Sequence, residues 1–207
     1  VARRLIDARP VVVSVGRIDY RSPAGAPLSR YFTVTAGVGP DALFIAHLDP
    51  GLKRRLGYLL YLIEGFRVWM THRFPLFEAE VRELGVPQSR TIQVSQLLAV
   101  RIRDFGGVLH NLAPGASLHM DGLRLVAFKT RSRLHFFRYV VASIFGKPSS
   151  SRHAELINAS SVECRPLNGA AERVFVEADG EALGQLPVRI EIVPSAVRLL
   201  IPPNVMP

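Results

Sequence analysis

Cysteine is almost absent from this chain, with Cys164 the only one. An intrachain disulfide is therefore excluded, and a reducing, cytoplasmic setting is expected. Lysine is scarce too: of 26 basic residues only Lys53, Lys129 and Lys147 are lysines. Acids number 17, which leaves a net charge of +9. A surplus of that size favours anionic surfaces and ligands, while a GC-rich genome would account equally well for the arginine bias. Val1-Ala2-Arg3-Arg4 lacks the apolar segment and small-residue cleavage site of a signal peptide. No apolar run is long enough to be a clean membrane span: Glu64 and Arg67 interrupt the best candidate, 50–73, short of the roughly 20 residues required. The six histidines are scattered without zinc spacing. Neither a phosphate-binding GxxxxGK[ST] loop nor a nucleophile-elbow serine occurs.

What remains is a chain of 207 residues, 48% hydrophobic, sufficient for one packed domain. Residues 1–8 read as a short amphipathic helix stopped by Pro10. Strands are expected over 11–20 and 30–36, separated by a Pro/Gly/Ser loop. Gly37-Val38-Gly39-Pro40 then bends the chain into a short helix near Asp41. In 50–73, Leu56, Leu59, Leu60, Ile63 and Met70 recur at helical spacing, which predicts a helix half-buried against a sheet; the preceding Lys53-Arg54-Arg55 would also suit a membrane surface. Further strands are expected over 76–83, 91–103, 123–129, 154–163, 173–178, 188–193 and 197–201, with one helix over about 131–145. Many short strands with Gly/Pro turns predict a mainly β, α+β domain over 1–207: an antiparallel β-sandwich with two or three packed helices.

Two Asp-Gly pairs occur, Asp121-Gly122 and Asp179-Gly180. The first closes a long loop containing Gly106-Gly107 and Ala113-Pro114, and long loops in compact domains often carry function. A carboxylate beside free carbonyls suits a hard cation such as Mg2+. The second lies in VFVEADGEALGQLPVRIEIVP, a hairpin signature. Glu181 directly after it could serve as a general base for a substrate hydroxyl. Taken singly, each pair is also a plain turn. Asp19 and Asp41 read as capping or turn residues. Arg131, Arg133, Arg138, Lys147 and Arg152 form a basic cluster suited to solvent or to anionic lipid.

The order of these features resembles the carboxyl-terminal domain of the diacylglycerol kinase and sphingosine kinase superfamily. Three stretches carry the likeness: Tyr31-Phe32 through Gly37-Val38-Gly39-Pro40-Asp41-Ala42, with Lys53, Leu56-Gly57-Tyr58 and Tyr61-Leu62; Gly106-Gly107, Ala113-Pro114, Ala116 and Asp121-Gly122-Leu123; and Asp179-Gly180-Glu181 with Leu186-Pro187-Val188 and Pro202. The resemblance implies a bacterial lipid kinase of phospholipid metabolism that uses ATP and Mg2+ on a diacylglycerol-like or sphingoid alcohol. It implies Glu181 and Asp179 as catalytic residues, with Glu181 the base. Gly106, Gly107 and Pro114 would line the substrate cleft. Asp121 and the Leu123 carbonyl would hold Mg2+, although Met120 stands where the family often has a second acid. The family's GGDGT nucleotide motif does not occur here, so an amino-terminal nucleotide-binding domain is the expected partner and this chain alone should be inactive. Other partners to consider are a lipid substrate, an anionic inner-membrane face and a second copy of the chain; specific nucleic-acid binding is not expected. The rival readings are a non-catalytic lipid- or protein-binding sandwich and a NAD kinase-related domain.

Overall fold

The computed structural model describes residues 8–22, 24–47, 74–103, 111–146, 148, 151–167 and 173–201. The helices expected over 1–8 and 50–73 lie outside the described residues, apart from Ala8. Among the described residues, eleven strands and two helices follow in the order β1 (Arg9–Arg21), β2 (Pro27–Phe32), β3 (Thr35–Val38), α1 (Pro40–His47), β4 (Phe77–Glu83), β5 (Arg90–Val94), β6 (Gln96–Val100), β7 (Leu123–Phe128), α2 (Arg133–Ile144), β8 (Ala154–Pro166), β9 (Phe175–Ala178), β10 (Glu181–Gln185) and β11 (Val188–Ile201). All strands join one antiparallel network, ordered β10-β9-β3-β6-β7-β8-β11-β1-β2, with β4 and β5 branching from β8.

The branch makes the architecture sandwich-like. The first half of β8 pairs with β7, from Ala154↔Phe128 to Ala159↔Leu123. Its second half carries β4 and β11 on its two edges. A strand that changes partners along its length turns a corner between layers. Ser95 makes a second corner. The expected strand 91–103 breaks there: β5 pairs with β4, whereas β6 pairs with β7 and β3. The Ser95 hydroxyl fixes the bend by donating to the Thr130 carbonyl at 2.6 Å. Conversely, the segments expected at 188–193 and 197–201 are one strand, β11. Its register against β1 shifts between Val13 and Val15, and this bulge accommodates Pro194, which could not sit in an unbroken central ladder.

Alternation divides the apolar residues of β6 and β7 between two cores. Leu97, Ala99, Leu125 and Ala127 join the main core with Ile18, Phe32, Phe77 and Ile190. Leu98, Val100, Val126 and Phe128 face the other way, into a second cluster with Ala113, Ala116 and Tyr139. Helix α2 closes that face: the Phe128 ring lies 4.8 Å from Phe136 and 5.0 Å from Tyr139.

Candidate functional site

The hairpin between β9 and β10 turns through Asp179 and Gly180, both at positive φ (48° and 77°). Two such residues give a turn whose twist matches its strands. The Asp179 carboxylate is fully engaged. Oδ1 accepts from the backbone N–H groups of Val34 (2.9 Å) and Thr35 (3.0 Å), and Oδ2 from the N–H (2.9 Å) and hydroxyl (3.3 Å) of Thr33. Its own N–H donates to Thr35 O at 2.9 Å. This clamp also explains why the strand expected over 30–36 is split at Thr33-Val34. Asp179 therefore positions the hairpin tip on the β2–β3 turn. Glu181, the first residue of β10, points outward. Its side chain is 64% exposed, and Oε2 meets Arg30 Nη1 at 2.7 Å.

Beneath the tip lies a pair of acids: Asp41, which the sequence offered only as a capping or turn residue, and Glu177, which it did not single out. Glu177 on β9 is 3% exposed, and its Oε2 accepts the Gly180 N–H at 2.8 Å. Asp41, in the first turn of α1, approaches it over Gly37. A Cβ on Gly37 would stand 2.0 Å from Asp41 Oδ2 and 2.9 Å from Glu177 Oε1, so only glycine leaves room for both carboxyls. Burial, reinforced by Asp41 and then Asp179, pushes the Glu177 carboxyl up to about 8 against the pull of the Gly180 and Gly37 N–H groups. Burial likewise raises Asp41 to about 7. Two carboxyls this close favour sharing a proton over double ionisation. The one sequence signal was Gly37 directly before the Gly39-Pro40-Asp41 bend.

The other Asp-Gly turn is built around Arg101, which was likewise missed because it closes an apolar run. Its side chain is wholly buried. Nη1 donates to the carbonyls of Met120 (2.7 Å) and Gly122, and Nη2 to those of Ser14 (2.9 Å) and Leu118 (3.0 Å). Asp121 is exposed at the rim and accepts from the Ser14 hydroxyl at 2.5 Å. Leu123 is buried at the start of β7. Among the described residues no three His, Cys, Asp or Glu side chains cluster as a metal site. The Leu118, Met120 and Gly122 carbonyls around Asp121 face a guanidinium, so the described residues do not fit a divalent ion there.

Of the residues expected in the cleft, Gly106 and Gly107 lie outside the described residues. Pro114 belongs to the segment packed on the α2 side; its carbonyl accepts from Arg124 Nε at 2.8 Å. One residue bonds to both turn assemblies. The Val34 N–H donates to Asp179, and its carbonyl accepts the Arg101 N–H at 2.9 Å.

Residues 33–201 match the family described as the YegS C-terminal NAD kinase beta sandwich-like domain. Two solved structures from Bacillus anthracis str. Sterne share the fold. One is a candidate diacylglycerol kinase, 16% identical with a TM-score of 0.66, aligned over 99% of this chain and 62% of its own. The other is a diacylglycerol kinase, 14% identical with a TM-score of 0.56, aligned over 96% and 56%. The chain thus spans about three fifths of these proteins. At such identities the likeness establishes the fold. No curated protein matches.

Proposed function

The chain belongs to the family of YegS C-terminal NAD kinase beta sandwich-like domains, and on that premise we propose that it is the lipid-substrate domain of an ATP-dependent lipid kinase. The observation that carries this reading is the hairpin tip, where an exposed Glu181 stands on a turn pinned by Asp179. Glu181 would accept the proton of a diacylglycerol-like or sphingoid hydroxyl as that oxygen attacks the terminal phosphate of ATP. Arg30 would orient the carboxylate and yield to the entering alcohol. A positioned base of this kind contributes roughly 10²- to 10⁴-fold to the rate. Phosphoryl transfer otherwise depends on positioning and charge stabilisation. ATP and its accompanying Mg2+ would rest mainly against a nucleotide-binding domain, consistent with the two fifths of the solved relatives that find no counterpart in this chain.

No helix among the described residues is long and apolar enough to cross a membrane. The outer face of α2 and its C-terminal edge expose Leu134 (61%), Phe137 (49%) and Phe145 (73%), beside the exposed Arg131, Arg138 and Arg152. Such a face suits the interface of an anionic bilayer, where the substrate resides.

The test is Glu181→Gln in the full-length protein, assayed with diacylglycerol, a sphingoid base and NAD. The expected result is phosphorylation of a lipid, with kcat reduced about 10²-fold or more and little change in the lipid KM. Activity within a few-fold of wild type removes Glu181 from the base role. Turnover of NAD alone favours the NAD kinase-related reading, and no turnover at all favours a binding module.

A further inference from the structure

We infer that Arg101 is a built-in cation that takes the place of a divalent metal at the Asp121 turn, so that the domain holds this turn without Mg2+. The inference does not depend on which substrate the protein phosphorylates. A hard cation gathers carbonyl and carboxylate oxygens around itself, and four carbonyls from two stretches of chain converge here: Ser14 in β1, and Leu118, Met120 and Gly122 along the turn. At their centre lies a guanidinium instead of an ion. Its planar fork offers up to five donors and keeps its charge at any relevant pH.

Charge balance favours the same assignment. Asp121 is the carboxylate whose field supports the Arg101 charge against the burial that weakens it. The residue before it is Met120, which brings no second negative charge. Among the described residues, one guanidinium against one carboxylate is balanced. A divalent ion added beside Arg101 would leave two uncompensated positive charges where the arginine is wholly buried, and buried charge is tolerated only when paired.

Thermal melting and calorimetric titration of the full-length protein decide the matter. Wild type is expected to melt at the same temperature in EDTA and in millimolar Mg2+ or Ca2+ with no nucleotide present, and to show no saturable heat of metal binding. Arg101→Met, which strips four carbonyls of their donor, is expected to lower Tm by about 10 °C. If that variant does not fold, Arg101→Lys decides: it keeps the charge but not the fork, and a Tm lower by about 5 °C supports the inference. A Tm equal to wild type in either variant overturns it. So does a metal-induced rise in the wild-type Tm that Asp121→Asn abolishes.

Discussion

Replacing Glu177 with glutamine should flatten the stability of the protein between about pH 5 and pH 8. Wild-type Glu177 titrates near 8 when folded and near 4.3 when unfolded. At acid pH both states are protonated and stability is greatest. As pH rises from about 4, the unfolded chain releases its proton first, and stability falls until the folded group also ionises. A difference of this size corresponds to about 5 kcal/mol for an isolated group, at about 1.4 kcal/mol per pH unit. Asp41 contributes to the same shift, and counting both partners would count one repulsion twice. Where the pair shares one proton part of that repulsion is avoided, so a loss on the order of 3 kcal/mol is expected from Glu177 itself. Glutamine reproduces the neutral acid. Its carbonyl can accept the Gly180 N–H, and its amide can donate to Asp41, whose buried Oδ1 has no partner. The variant should match wild type near pH 5 and exceed it by about 2–3 kcal/mol near pH 8. Urea unfolding followed by circular dichroism at several pH values measures this directly. If the two stability curves run parallel over the whole range, Glu177 is ionised in the folded protein and the reasoning fails.

Asp179→Asn keeps a residue that tolerates positive φ but offers one acceptor oxygen where the carboxylate offers two, and should cost about 1–2 kcal/mol in urea unfolding. Asp179→Ala loses every side-chain acceptor and adds left-handed strain, for about 3–4 kcal/mol; equal effects of the two variants would contradict the clamp. Phe128→Ala, at the ring cluster beneath α2, should cost about 3–5 kcal/mol. A Tm drop of only one or two degrees would mean that α2 repacks over the vacancy.

The strand pattern was readable along 76–83, where one face is buried and the alternation of side chains reports it, and along 123–129, where a short apolar run marks a strand buried on both faces. The errors lie where the chain changes partners. Nothing in the composition of 91–103 marks Ser95 as a corner, because residues on both sides are strand formers and only the three-dimensional pairing separates β5 from β6. The segments 188–193 and 197–201 read as two strands because Pro194 lies between them, and a bulge in β11 itself carries the chain through 194–196 opposite Ser14. Both Asp-Gly turns were visible as turns, and the local pattern placed Glu181 at a hairpin tip. The Asp179 clamp could not be read, since its partners lie near residue 34. Arg101 was invisible for a related reason: burying a guanidinium requires four carbonyls from distant segments, and carbonyls leave no trace in a sequence. The Asp41–Glu177 pair is separated by more than 130 positions, and only the folded sheet brings its members over Gly37.

Val34 bonds to both turn assemblies, which predicts a common opening event. Its N–H is held by the hairpin clamp and its carbonyl by the strand that ends in the buried arginine. Rotation of that short segment would release both contacts together. The amide protons of Val34 and Arg101 should therefore exchange with solvent as one cooperative unit, and a mutation at either turn should be felt as faster exchange at the other.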